Sequence, residues 1–147
     1  MKVSHKVQYA VRAVFDIAHG ADGRPAQLRD VARRQAIPVA FLEQICRQLG
    51  RAGIIAARRG PGGGYRLARP PEEITIGDIV RAIEGQRAFD LADRERGGAR
   101  RVIEPVWGEL SGKLASACDA ITIRDLSHRA ERGGLPRRGA PTYDYSI

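Results

Sequence analysis

Apolar residues recur along the first third of the chain at the spacing of packed helices. Val3, Val7, Val11, Val14 and Ile17/Ala18 fall at three- and four-residue steps, with Ala10 and Ala13 beside them. This predicts a first helix that buries that face, with Ser4 as N-cap and an end at Gly20. Leu28, Val31 and Ala32 mark a short second helix from about Gln27 to Gln35. Ala36-Ile37-Pro38 then turns into a third helix, because proline suits a first turn while the residue before it is pushed out of helical geometry. In that third helix Phe41, Leu42, Ile45, Cys46, Leu49 and Ala52 face inward, and Glu43, Gln44, Arg47, Gln48 and Arg51 face solvent. Gly53 is the expected C-cap before a strand beginning Ile54-Ile55-Ala56.

The run Ala56-Ala57-Arg58-Arg59-Gly60-Pro61-Gly62-Gly63-Gly64-Tyr65-Arg66-Leu67 reads as two short strands joined by a glycine-rich loop. One reading of such a loop is a phosphate cradle. That motif ends in Lys followed by Ser or Thr and opens directly into a helix, whereas here the alternating Tyr65-Arg66-Leu67 follows. The other reading is the wing of a winged helix-turn-helix, with arginines that lie along DNA backbone or enter the minor groove. Three helices, a strand, a glycine-rich hairpin and a strand, in that order, favour the wing. The outer face of the third helix agrees, since Arg and Gln are side chains that pair bidentately with guanine and adenine edges.

Beyond the hairpin, Arg69-Pro70-Pro71 forms a stiff link, and Thr75 caps a helix that buries Ile76, Ile79, Val80 and Ile83 and ends at Gly85. Residues 86–101 are charged and aperiodic, which predicts a loop. Val102, Val106, Leu110, Leu114, Ala117/Cys118 and Ile121 then form a stripe that Ile103 and Trp107 widen. So broad an apolar face needs more surface than a small N-terminal domain offers. Ile121-Thr122-Ile123-Arg124-Asp125-Leu126 opens a last short helix. From Gly133 the small, polar and proline residues predict a disordered tail, in which Tyr143 and Tyr145 are unremarkable.

Charge sharpens this division. Of the net +8, residues 1–70 hold 13 Lys and Arg against 4 Asp and Glu, while residues 71–147 hold 12 against 13. A basic first half on a near-neutral second half is the footprint of a nucleic-acid binder with a separate assembly region. No apolar run reaches the ~20 residues of a membrane span, and a cytoplasmic location is expected. Cys46 and Cys118 are too few for a disulfide framework or a paired-cysteine metal site. Cys46 reads as a small buried hydrophobe, and Cys118 as a packing residue or the candidate redox thiol. His5, His19 and His128 lack metal-ligand spacing and read as surface or capping residues. Arg94, Arg96, Arg100 and Arg101, interleaved with Asp90, Asp93 and Glu95, read as a solvated loop that still has room for a sensor.

The wording of several segments is itself distinctive. Phe41-Leu42-Glu43-Gln44-Ile45, Ala52-Gly53, the run from Arg59 to Pro71 and Ile76-Gly77-Asp78-Ile79-Val80-Arg81-Ala82-Ile83-Glu84-Gly85 closely resemble the Rrf-two family of bacterial transcription regulators, over about residues 1–130. The resemblance implies that the stripe helix crosses its twin from a second subunit, with Val102, Val106, Trp107, Leu110, Leu114 and Ile121 at the dimer interface. Cluster-binding members of that family carry three cysteines in the loop matching residues 86–101 and the start of the next helix. This chain has none there. Glu104 stands where the iron–sulfur members have a cluster-binding histidine, and Arg101 stands near their last cysteine, so no cofactor and no metal is expected.

The expected fold is mainly α: an N-terminal winged helix-turn-helix with a two-stranded wing over residues 1–71, and a linker helix, loop and long dimerisation helix over 72–132. The tail covers 133–147. The expected function is a homodimeric repressor that reads a pseudo-palindromic operator in double-stranded DNA, with an unidentified metabolite or protein effector. Glu43, Gln44, Arg47, Gln48 and Arg51 would enter the major groove. Arg58, Arg59, Gly62, Gly63 and Tyr65 belong to the wing, and Lys2, His5, Lys6 and Tyr9 are placed for phosphates. The rival is an interaction module that has lost DNA reading and regulates a partner enzyme or stress factor. An enzyme is the weakest reading, because no nucleophile–base pair, carboxylate pair or metal cluster is legible.

Overall fold

The first apolar stripe becomes α1 (His5–Ala18) in a computed structural model that describes residues 2–20, 23–92 and 97–137. Ser4 caps it as the sequence predicts, its hydroxyl accepting from the Val7 N–H at 3.2 Å. Val3 lies outside the helix and is exposed, so the buried stripe begins at Val7. The helix stops at Ala18 rather than Gly20. His19 is its C-cap and is buried rather than at the surface: its ring stacks on Phe15 at 5.1 Å, and Nε2 lies 3.3 Å from the Leu135 carbonyl.

The chain continues through α2 (Leu28–Gln35) and α3 (Val39–Arg51). Ala36 adopts a left-handed φ of 53° between them, which lets the Ile37 N–H return to the Ala32 carbonyl at 2.9 Å and close α2 before Pro38 starts α3. The C-cap of α3 is Ala52, exposed rather than inward, and the left-handed Gly53 follows it at φ 71°. Strand β1 therefore starts one residue late, at Ile55, and runs to Arg58; β2 is Gly64–Leu67. The two pair antiparallel from Ile55↔Leu67 to Arg58↔Gly64. β2 is also tied to the segment before α2, since Ala26 and Tyr65 exchange N–H···O bonds of 2.7 Å.

A turn of 3-10 helix (Pro71–Glu73) leads to α4 (Ile76–Glu84), where Thr75 and Asp78 form a reciprocal capping box. Ile79 and Ile83 are buried, but Ile76 and Val80 only half so. In the expected 86–101 loop, Phe89 is buried, and Arg100 and Arg101 already belong to α5 (Arg100–Asp119). Residues 93–96, which carry part of the mixed-charge run, lie outside the described residues, as do 138–147 with most of the expected tail. The start of that expected tail is built into the fold: the Leu135 N–H bonds the Ala130 carbonyl at 2.9 Å behind α6 (Ile123–Arg132).

α6 returns to the first half of the chain. Ile123 is fully buried with Ile74, and the Ile76 N–H and the Ile123 N–H bond the carbonyls of Ile121 and Ile74 at 2.9 and 2.8 Å. The buried cluster thus runs across the expected boundary at residue 71, joining α1, α3, α4 and α6. Ile121 corrects the sequence reading: it sits beyond the end of α5, in the link that pairs with α4, and is not the last rung of the stripe. Among the described residues, no helix is long and apolar enough to cross a membrane.

Candidate nucleic-acid interface

α3 is positioned by packing against α1 and α2, and α2 is itself fixed to α1 by one ion pair. Asp16 sits on the inner side of α1 and is 6% exposed, where an unpaired carboxylate would be costly. Arg34 closes on it bidentately at 2.7 and 3.0 Å, and the Gln35 amide donates at 2.9 Å, so the end of α2 is locked onto α1. Tyr9 meets Phe41 edge-on at 5.6 Å and fixes the start of α3 against α1. The clamp is absent from the sequence reading. Its signal was there: an aspartate at a core-facing phase, between Ala13 and Ile17, requires a cation from a neighbouring helix.

On α3, Leu42, Ile45, Cys46 and Leu49 are buried, and Glu43, Gln44, Arg47 and Arg51 are exposed, as the period predicts. Gln48 departs from it. This residue is half-buried, its Nε2 donating to the Ile83 carbonyl at 3.4 Å while Oε1 is buried without a partner, so it ties α3 to the end of α4 instead of facing outward.

The hairpin alternates. Arg58 and Arg66 share one face, and Ala57 and Tyr65 the other. Tyr65 is half-buried, and its hydroxyl is pushed up from its ordinary value by desolvation, with Cys46 and Glu43 adding in the same direction. That places it beside α3. Arg59 is exposed at the entry to the turn. The turn needs its glycines: a Cβ on Gly63 would strike the Arg58 carbonyl, and one on Gly64 would come within 2.5 Å of the Ala26 carbonyl. Gly62 has φ 72° and open space around it. Gly63 is therefore explained by the hairpin itself, and Gly62 remains free for close backbone approach.

Lys2, ahead of α1, and His5 on it are exposed, and Lys6 and Tyr9 are half-buried. Arg12 covers the Tyr9 ring at 4.8 Å. Among the described residues none of Lys2, Lys6, Arg47, Arg51, Arg58 and Arg59 makes an ion pair. Arg81, Arg87, Arg100, Lys113, Arg124 and Arg137 all do. The excess charge of the first half is thus left unneutralised on the helix-turn-helix, the wing and the N-terminus.

α5 is arranged differently. None of the described α5 residues is buried, and Val102, Val106 and Leu110 are 74%, 49% and 41% exposed. Ile103, Trp107, Leu114 and Cys118 are half-buried on the side toward the chain's own core. Asp119 ends α5 in a bidentate pair with Arg81 at 2.7 and 2.9 Å, and Thr75 Oγ1 donates to it at 3.4 Å. Its carboxylate packs where any side chain on Gly77 would collide, which explains that glycine in α4.

Family models identify the architecture: residues 3–129 match Rrf2, described as an iron-dependent transcriptional regulator. The chain belongs to the Rrf2 family. It is 39% identical over 129 residues to the HTH-type transcriptional regulator IscR of Aliivibrio salmonicida, covering 86% of this chain and 77% of that one. Among solved structures it resembles T. potens IscR, with 32% identity, a TM-score of 0.75, and 99% and 95% of the two chains covered. It also resembles CymR, the global cysteine regulator of B. subtilis, at 27% identity and a TM-score of 0.77, over 88% and 98%. These relatives are named as regulators, and this Rrf2 member is a winged-helix transcriptional regulator rather than an enzyme.

The donor set does not fit a cluster held by three thiolates. Cys46 is in the core under α3, its thiol pushed up to about 12 by burial. Cys118 is half-buried on α5, its thiol also raised by desolvation, then by Asp119. A raised thiol is a poor thiolate, which weakens the reading of Cys118 as a redox group. Glu104 is engaged by Arg100 at 2.9 Å.

Proposed function

We propose that this Rrf2 protein is a cytoplasmic, homodimeric, sequence-specific DNA-binding repressor whose signal is not carried by a three-cysteine cluster. The observation behind the DNA reading is the set of unpaired cations on α1, α3 and the wing, beside the exposed Gln44 and Arg47 of a helix whose start is packed on α1 through Tyr9 and Phe41. Unneutralised Lys and Arg on one domain supply the phosphate attraction, and the outward Arg and Gln supply base readout. An interaction module without DNA reading has no need of that combination.

Dimerisation is supported by the exposed Val102, Val106 and Leu110 on a helix already packed on its other side. Two helix-turn-helix units about one twofold axis call for a pseudo-palindromic site with half-sites about one turn, or ~34 Å, apart.

The test is a binding series against DNA fragments selected by the protein itself. Arg59→Ala is expected to weaken specific and non-specific binding alike and to flatten the salt dependence by about one phosphate. Arg47→Ala or Gln44→Ala is expected to relax base preference by about 1–3 kcal/mol. Unchanged salt slope in the first and unchanged discrimination in the second would remove the wing and the recognition helix from the interface.

A further inference from the structure

The inner side of α5 borders a cleft of about 820 Å³, a size suited to a small organic molecule. Leu114 and Cys118 form one wall, Val7 and Val11 of α1 a second, Val80 of α4 a third, and Phe89 lines it from the loop that follows. Of the described α5 residues, Leu114 and Cys118 line the cleft, whereas the exposed Val102, Val106 and Leu110 do not.

Polar groups define the two ends of this apolar slot. Near the start of α1, Ser4 donates to Glu84 at 2.5 Å, and both line the cleft. Two turns further on, ~12 Å along α1, Arg12 lines it with its guanidinium over Tyr9 and no ion pair among the described residues. One end thus carries the Glu84 carboxylate together with the Lys2 cation, and the other carries Arg12, while Glu84 is the one carboxylate among the described lining residues. Arg12 belongs to none of the contacts assigned to DNA.

We propose that this cleft is the effector site and that it binds an amphipathic organic carboxylate, its acid group on Arg12 and its apolar body against Val7, Val11, Val80, Phe89 and Leu114. The ~12 Å length accommodates an extended chain of roughly ten carbons. The raised, neutral Cys118 thiol is a soft apolar wall for such a chain. The occupant would touch α1, α4 and α5 together, so it bridges the helix that carries Tyr9 and the helix that carries the seam. The regulatory meaning of the site rests on the DNA-binding reading; ligand binding itself does not.

Cys118 provides the assay, because Cys46 is buried beneath α3. Alkylation of Cys118 by iodoacetamide, followed by mass spectrometry on the intact full-length protein, is expected to slow about tenfold at a decanoate concentration about ten times its Kd. Decanol, of equal length and no charge, should protect less. Arg12→Ala should erase decanoate's advantage over decanol, and Val80→Phe should fill the slot and abolish protection by both while circular dichroism shows a folded protein.

Undiminished labelling in saturating decanoate would overturn the proposal, as would an unaltered decanoate preference in Arg12→Ala. Labelling that is blocked without ligand and released on dilution to monomer would instead assign the cleft to a second copy and also overturn it. A protein that binds decanoate but no DNA would retire the DNA reading and leave the cleft intact.

Discussion

α1 and α5 carry the same kind of apolar stripe and meet opposite fates. In the 14 residues of α1, Val7, Ala10, Ala13, Val14 and Ile17 are all buried; in the 20 residues of α5 none is. α1 has α2, α3, α4 and α6 around it, whereas α5 leans on the fold with one side and shows Val102, Val106 and Leu110 on the other. Amphipathicity specifies that a face is to be covered, not which chain covers it. The contrast extends to charge: among the described residues Lys6, Arg47, Arg51, Arg58 and Arg59 make no ion pair, whereas Arg81, Arg87, Arg100, Lys113, Arg124 and Arg137 each have a carboxylate partner.

The largest effect should come from breaking the uncovered side. Leu110→Asp is expected to place an uncompensated carboxylate in the seam and weaken dimerisation more than about a thousandfold, while the winged domain keeps its circular dichroism. Light scattering that still finds a folded dimer at micromolar concentration would show that the seam lies elsewhere.

The buried side should respond in stability instead. Leu49→Ala, at a fully buried position, is expected to cost about 2–5 kcal/mol in urea unfolding. In the monomeric Leu110→Asp background, Val102→Ala should cost less than about 0.5 kcal/mol. Equal losses at the two positions would erase the distinction between α3 and α5.

Arg34→Met should cost about 3 kcal/mol by stranding Asp16 in the core, partly relieved by Gln35. Adding Asp16→Met to that variant removes the stranded charge and should recover most of the loss, which a chemical denaturation cycle would measure. A double variant no more stable than Arg34→Met alone would show that the loss comes from packing rather than from the uncompensated carboxylate.

The smallest effect concerns the joint between the two regions. Hydrogen bonds from Arg81 hold the Asp119 carboxyl below its ordinary value of 3.8, against a smaller opposing effect of desolvation. A lowered folded value means that the pair stabilises the fold above 3.8 and that this contribution is lost as pH falls through the lowered value. Carboxyl titration by NMR should find Asp119 below 3.8 in the native protein and return it toward 3.8 in Arg81→Ala. An Asp119 that titrates identically in both would separate the pair from acid stability.

Much of the fold was legible because its signals are local. The three-helix order, the cap at Thr75, the Gly53 turn and the glycine hairpin each depend on residues within a few positions of one another. The outer set Glu43, Gln44, Arg47 and Arg51 follows from the helical period of about 3.6 residues alone. Gln48 shares that outer phase, and its inward turn was invisible because the Ile83 carbonyl that takes its amide lies 35 residues away.

The amino-acid sequence by itself determined the helix periods, the hairpin, the separation of charge between the halves and the lack of loop cysteines, since each is a property of residue type and spacing. Tertiary structure decided which distant groups meet: Asp16 with Arg34, Gly77 beneath Asp119, Ile123 beside Ile74, and the cleft between α1, α4 and α5. It also decided that α6 completes the first domain's core, leaving α5 with half its stripe uncovered. Those contacts depend on the angles at which helices pack, and such angles are fixed by the whole set of buried side chains together.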